Sequence, residues 1–302
     1  MLTGIHFLLT YACNFECDHC FLFCGPRAEG TFTLNQIEKV LCEAIKIGTV
    51  KWIYFEGGEP FLYYPLMLES IRCARTRGFE TGIVTNAYWA TSSEDAAIWL
   101  KPLGDLGVSD LSISDDTFHH GEQQDNPAKN ALSAAKQLNM AASSICIEKP
   151  AVKKRDDLAN AKGRPVIGGG AKFRGRAVEK LIKGLPKRKW DSFTECPDED
   201  FNDPARIHID SFGNVHLCQG LIIGNFWKTP LSEIINNYDP NQHPICGPLI
   251  EGGPAALAKK CGTKHEDNYV DECHFCYLTR LHLLDKFPDC LGPKQVYGLS
   301  DE

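Results

Sequence analysis

Three cysteines, Cys13, Cys17 and Cys20, fall within eight residues directly after an apolar run from Ile5 to Tyr11. The run reads as a buried strand with no room for a domain ahead of it. Thiols so closely spaced on one loop are neighbours in any fold, so a metal or redox centre is the first constraint on the chain. Three thiolates can bind three irons of a cubane cluster and leave the fourth iron open to a ligand. Two other centres use the same residues. Structural zinc usually takes four closed ligands, and a ferredoxin-like electron carrier would recruit Cys24 as a fourth thiolate. Cys24-Gly25-Pro26 suits the carrier, whereas the first gap is one residue longer than in the bacterial ferredoxin run and no second run follows.

The chain has 302 residues, 43% apolar and 24% charged, enough for one or two domains with substantial cores. Its 14 cysteines would suggest disulfides in an exported protein. No early basic segment precedes an apolar core and cleavage site, so a cytoplasmic location and metal or redox roles are expected instead. The net charge of -7 supplies no general attraction to nucleic acid or an acidic membrane, and the apolar runs are too short to span a bilayer.

Periodicity predicts alternating strands and helices. Thr33-Leu34-Asn35-Gln36 reads as a capping box, after which Leu34, Ile37, Val40, Leu41, Ala44 and Ile45 recur on one helical face up to Gly48. Strands follow at Trp52 to Phe55, Thr81 to Val84, Leu111 to Ile113 and Ser144 to Ile147. A weaker one is expected at Pro165 to Ile167. The intervening helices run from about Pro65 to Arg77, from a cap at Thr91-x-x-Glu94, and from about Pro127 to Leu138. Such alternation calls for a parallel sheet with helical crossovers, here an α/β partial (β/α)6 TIM-like barrel over residues 1-190. Near residue 190 the character changes. Arg206 to Asp210 and Val215 to Cys218 straddle Phe212-Gly213-Asn214 as a hairpin, opening a smaller α+β metal-binding domain over 191-302.

Cys13-Asn14-Phe15-Glu16-Cys17-Asp18-His19-Cys20 resembles the signature of the radical S-adenosylmethionine superfamily. The resemblance implies that Cys13, Cys17 and Cys20 hold a 4Fe-4S cluster whose open iron binds the methionine amine and carboxylate of S-adenosylmethionine. His19 takes the place of an aromatic ring beside the cluster. Gly57-Gly58-Glu59-Pro60, after the second strand, is similar to the family's motif for the cofactor's amino group, with glycines that admit a ligand and a carboxylate that accepts from an ammonium. Thr85-Asn86 and Ser114-Asp115-Asp116 end the next two strands, on the edge where parallel sheets bind ligands. Thr85, Asn86, Ser114 and Asp116 are therefore cofactor candidates, with helix capping the competing role. Arg176, in Gly175-Arg176-Ala177, resembles a stretch that lies near the cofactor in part of the superfamily.

Cys196, Cys218 and the distant pair Cys273-His274-Phe275-Cys276 suffice to saturate a second 4Fe-4S cluster or a structural zinc. Their order resembles the auxiliary module called twitch, the smaller relative of the two-cluster SPASM extension. Cys246, Cys261 and Cys290 remain unassigned, and Cys42, Cys73 and Cys146 read as small buried apolar residues. Pro197-Asp198-Glu199-Asp200 and Gly252-Gly253-Pro254 read as loops.

The resemblance implies reductive cleavage of S-adenosylmethionine to a 5'-deoxyadenosyl radical, which abstracts hydrogen from a substrate C-H bond. A closed auxiliary cluster would take the second electron, favouring net oxidation of a small molecule or peptide with a flavodoxin- or ferredoxin-like donor. A peptide maturase with a separate recognition partner is one alternative. An epimerase with Cys24 as hydrogen donor is another. A non-catalytic iron-sulfur carrier or zinc-stabilised binding protein is the contrasting class.

Overall fold

A computed structural model describes residues 1-122, 125-152 and 167-300. The elements of the first half are β1 (Gly4–Thr10), α1 (Leu34–Ile47), β2 (Trp52–Gly57), α2 (Tyr64–Thr76), β3 (Glu80–Thr85), α3 (Ser93–Asp105), β4 (Asp110–Ser114), α4 (Thr117–His120), α5 (Pro127–Gln137) and β5 (Ala142–Ile145). The short β6 (Ala151–Val152), β7 (Ile167–Gly168), α6 (Arg176–Lys180) and β8 (Arg188–Lys189) follow. The remainder holds β9 (Arg206–Asp210), β10 (Asn214–Cys218), β11 (Leu221–Asn225), α7 (Leu231–Asn237), α8 (Cys246–Cys261), β12 (Asn268–Tyr269) and α9 (Glu272–Leu283).

One eight-stranded sheet runs in the order β11-β10-β9-β1-β2-β3-β4-β5. Strands β1 to β5 are mutually parallel, and β9 pairs in parallel with the other side of β1. The fold is thus mixed α/β around a parallel central sheet, as the alternation predicts. The sixth parallel strand is β9, not the segment at Pro165 to Ile167. Residues 165 and 166 lie outside the described residues, and Ile167 pairs antiparallel with Val152 in a separate ribbon. The hairpin of β9 and β10 therefore extends the main sheet. β5 begins two residues earlier than the sequence suggests, at Ala142.

β1 is central, and Ile5, Phe7, Leu8 and Leu9 are all at most 1% exposed, as expected for a strand covered on both faces. Phe7 stacks on Phe55 of β2 and meets Phe32 edge-on, with ring centroids 5.4 Å apart in both pairs. Helix α1 lays Ile37, Val40, Leu41 and Ala44 against this layer. Its expected capping box forms: Gln36 N donates to Thr33 Oγ1 and Thr33 N to Gln36 Oε1. Helix α3 is capped by Ser92, whose hydroxyl accepts from Asp95 N, and not by Thr91.

Asp210, at the end of β9, organises the turn into β10. Its buried carboxylate accepts from Phe212 N, Asn214 N and the Tyr11 hydroxyl, and so ties the hairpin to the residue that leads into the cysteine loop. Gly252-Gly253-Pro254 is a kink within α8 and not a loop. A Cβ on Gly253 would sit 2.3 Å from Glu195 N, so the kink lets α8 press against the chain just before Cys196. Cys42 and Cys146 are exposed and Cys73 is half-buried, so none is the buried apolar residue the sequence suggested. Among the described residues, no helix is long and apolar enough to cross a membrane.

The ends of β1 and β2 approach so closely that a Cβ on Gly58 would lie 2.1 Å from Ala12 O, whereas one on Gly4 would meet nothing nearer than 3.7 Å. Gly58→Ala is therefore expected to cost about 1–3 kcal/mol through overpacking, with Gly4→Ala near neutral, in urea unfolding of the two variants. Equal effects would contradict the assigned close approach.

Candidate functional site

The cysteine loop is held from two sides. Gly58 N donates to Thr10 O at 2.7 Å and Glu59 N to Ala12 O at 2.9 Å, clasping the start of the loop to the end of β2. Across the loop, Arg176 Nη1 donates to Cys17 O and Nη2 to Cys24 O, both at 2.8 Å, while Arg176 N donates to Cys20 O at 2.9 Å. Gly175 permits this contact at φ 62°, because a Cβ there would lie 2.6 Å from Phe21 Cα.

Cys13, Cys17 and Cys20 then line one cavity of about 300 Å³, together with Gly57, Gly58, Thr85, Asn86, Ser114 and Asp116. Phe15 N lies 3.4 Å and Asn86 Nδ2 3.7 Å from Cys13 Sγ, both donating toward the sulfur. Burial pushes the Cys13 thiol up to about 11 and the Cys17 thiol up to about 12, each further raised by the neighbouring cysteines. Cys20 is lowered to about 6, chiefly by its hydrogen bond with Cys24. Crowding the sulfurs around one cavity opposes ionisation of Cys13 and Cys17 unless a cation compensates, and N-H donors already point at Cys13. This donor set fits an iron cluster. Cys24 also lines the cavity, so the loop brings a fourth thiol beside the three.

The other sequence candidates fall into distinct places. Glu59 is fully buried and its carboxylate faces the protein, accepting from Phe61 N, Thr85 Oγ1 and Asn86 N at 2.7 to 3.0 Å. Burial pushes it up to about 7 against those donors. Its side chain braces the ends of β2 and β3 and is absent from the cavity lining. Gly57 and Gly58 face the cavity, yet their lack of Cβ serves the approach of β1 backbone: a Cβ on Gly57 would be 2.5 Å from Thr10 O. Asp116 caps α4, accepting from Phe118 N and His119 N, and contacts His119 Nδ1 at 2.8 Å. It thus combines the capping role with a place in the lining. His19 packs on Phe118 with ring centroids 4.8 Å apart, and burial pushes its pKa down to about 4. Arg176 directs its guanidinium to the carbonyls of Cys17 and Cys24, so its contacts here are with the cysteine loop.

The second group also converges. Cys196, Cys218, Cys273 and Cys276 line one cavity with Asp198 and Glu199 from the acidic stretch and the guanidinium groups of Arg174 and Arg280. Arg174 is 6% and Arg280 1% exposed. Arg174 Nη1 donates to Cys218 Sγ at 2.6 Å, and Arg280 Nη2 lies 3.9 Å from the same sulfur. Both Nε atoms are buried without a hydrogen-bond partner. Two buried cations need negative charge nearby, and the cavity offers it from the carboxylates of Asp198 and Glu199 and from any of the four cysteines that ionise. Cys273 Sγ also meets Asp198 Oδ2 at 3.0 Å. Arg174 lies over the Phe21 ring, 5.0 Å from its centroid, so a single guanidinium touches the residue after Cys20 and the sulfur of Cys218.

Sequence reasoning missed these arginines. Arg280 follows Cys276 by four residues on α9 and so shares its face, a spacing visible in the sequence. Arg174 stood beside Arg176 with nothing local to distinguish them.

Residues 7–138 match the Radical SAM superfamily model. YydG of Bacillus subtilis (strain 168), whose name is that of a peptide biosynthesis protein, is 27% identical over 136 residues, 43% of this chain and 43% of that protein. The Pyrococcus furiosus protein named for modifying the cofactor of tungsten-containing aldehyde ferredoxin oxidoreductase is 34% identical over 111 residues, 36% of this chain and 30% of its own. The match thus covers less than half of either relative. The structure of anSMEcpe with bound AdoMet aligns at 12% identity and TM-score 0.49 over 95% of this chain and 97% of that one. The likeness to the Radical SAM superfamily is thus carried by residues 7–138, the stretch that holds Cys13, Cys17 and Cys20 and the ends of β2, β3 and β4.

Proposed function

We propose that the protein is a radical S-adenosylmethionine enzyme that oxidises a small-molecule or peptide substrate, assisted by an auxiliary 4Fe-4S cluster at Cys196, Cys218, Cys273 and Cys276. The observation that carries the reading is the pair of cysteine-lined cavities joined through Phe21 and Arg174. When bound, the cluster at Cys13, Cys17 and Cys20 and its S-adenosylmethionine supply one-electron cleavage and hydrogen abstraction from a C-H bond. The chain's own residues do the positioning. Gly58, Glu59 and Arg176 fix the backbone of the cysteine loop, and Asn86 and Phe15 N offer donors to Cys13 sulfur. Thr85, Ser114 and Asp116 line the remaining wall, where polar groups suit an amine, carboxylate or ribose.

Four cysteines at the second cavity leave a cluster no open position for substrate, which suits an electron acceptor. Arg174 and Arg280 place positive charge beside it and favour its reduced form. A flavodoxin- or ferredoxin-like protein would deliver the first electron. A peptide substrate is the second reading, favoured by the likeness to YydG.

Replacing Cys13, Cys17 and Cys20 together by alanine is expected to abolish S-adenosylmethionine cleavage in anaerobic assays while about four irons per chain remain. Persistent cleavage would contradict the assignment. Replacing Cys273 and Cys276 by alanine is expected to remove about four irons, and loss of zinc instead would identify a structural site. Arg174→Gln is expected to lower the auxiliary midpoint potential on the order of tens of millivolts in redox titration. An unchanged potential would place the guanidinium charge outside the cluster's influence.

A further inference from the structure

Neighbouring strands bring a third group of metal-ligating side chains together apart from the cysteines. His6 on β1 lies in register with Tyr54 on β2 and His208 on β9, and Glu56 follows Tyr54 on the same face of β2. His6 Nδ1 is 3.2 Å from Glu56 Oε2 and His208 Nε2 is 3.1 Å from Glu56 Oε1. One ligand atom from each residue can be chosen so that all lie within 4.8 Å of one another.

We propose that His6, Glu56 and His208 form a binding site for a divalent transition-metal ion of the zinc class, separate from both cysteine clusters. Two imidazole nitrogens and one carboxylate suit such an ion and leave room for a further ligand. Donors about 2.0–2.1 Å from a tetrahedral ion sit roughly 3.3 Å apart, and each imidazole nitrogen lies at about that distance from one of the two Glu56 oxygens. Charge-assisted hydrogen bonds are shorter, about 2.7–2.9 Å. His6 Nδ1 is buried and makes no hydrogen bond, despite its distance from Glu56. A lone pair directed at an ion accounts for that nitrogen better than a misaligned N-H.

The rings are fixed in place. His6 stacks on Tyr54 at 4.6 Å between centroids, and the Tyr54 hydroxyl donates to Asp110 Oδ2 at 3.3 Å. Gln219 Nε2 lies 3.3 Å from His208 Nε2, and the amide oxygen is buried without a partner. With its amide turned over, Gln219 would present that oxygen on the same side. Glu56 also lines the cavity shared by Cys13, Cys17 and Cys20, so an ion held here borders the space left for substrate.

The test is anaerobic incubation of the reconstituted holoenzyme with Zn²⁺ alone, desalting, metal analysis and zinc-edge X-ray absorption. About one zinc per chain is expected, with only nitrogen and oxygen neighbours at about 2.0–2.1 Å. Glu56→Gln and the double variant Glu56→Gln/His208→Gln are expected to retain less than about a tenth of that zinc with unchanged iron. Sulfur neighbours at about 2.3 Å, or no more zinc in the wild type than in the double variant, would overturn the proposal. The absorption measurement uses wild-type protein, so the result stands even where a variant fails to fold. It also stands if the cysteine clusters prove to be other than proposed.

Discussion

The candidate site depends on a backbone clasp between the end of β1 and the end of β2. Two hydrogen bonds, from Gly58 N to Thr10 O and from Glu59 N to Ala12 O, join strands whose close approach excludes a side chain at Gly58. Everything downstream is positioned by it. The loop bearing Cys13, Cys17 and Cys20 starts at that clasp, and the Glu59 carboxylate carries the constraint onward to Thr85 and Asn86 at the end of β3. Arg176 closes the loop from the other side by satisfying the carbonyls of Cys17 and Cys24. The cavity is thus assembled by main-chain hydrogen bonds on rigid strand ends, which suits a site that must hold three sulfurs in fixed relation.

Charge organises the second cavity. Arg174 and Arg280 are buried against Cys218, and Asp198 reaches Cys273 from the acidic stretch. Burying guanidinium groups is costly without anions, so their position beside four cysteines couples the packing of this region to the charge state of whatever the cysteines hold. Arg174 also lies over Phe21 of the first loop. The packing of the two cavities is therefore linked through this side chain.

The first four β/α units were legible because their apolar residues repeat at helical or strand period and their breaks carry Gly, Ser, Thr or Asn. The alignment of Cys13, Cys17 and Cys20 was legible from spacing alone. The sixth parallel strand was not. β9 joins β1 across about 200 residues of sequence, and nothing in Arg206 to Asp210 says which edge it will take. The roles of Glu59 and Arg176 were also hidden: a buried carboxylate can face a ligand or three protein donors, and an arginine can reach a cofactor or a loop carbonyl. Only the folded neighbours decide. For the same reason His6, Glu56 and His208, on three separate strands, carried no sequence signal as a group.

The most direct measurement is electron paramagnetic resonance of anaerobically reduced protein with and without S-adenosylmethionine, using the variant lacking Cys13, Cys17 and Cys20 to isolate the auxiliary signal. A cofactor-induced change confined to the wild-type N-terminal cluster is expected, because an iron with only three cysteine-ligated neighbours remains open to the cofactor. An unchanged spectrum from a fully loaded, reduced cluster would contradict an open iron and point instead to an electron carrier with Cys24 as its fourth ligand.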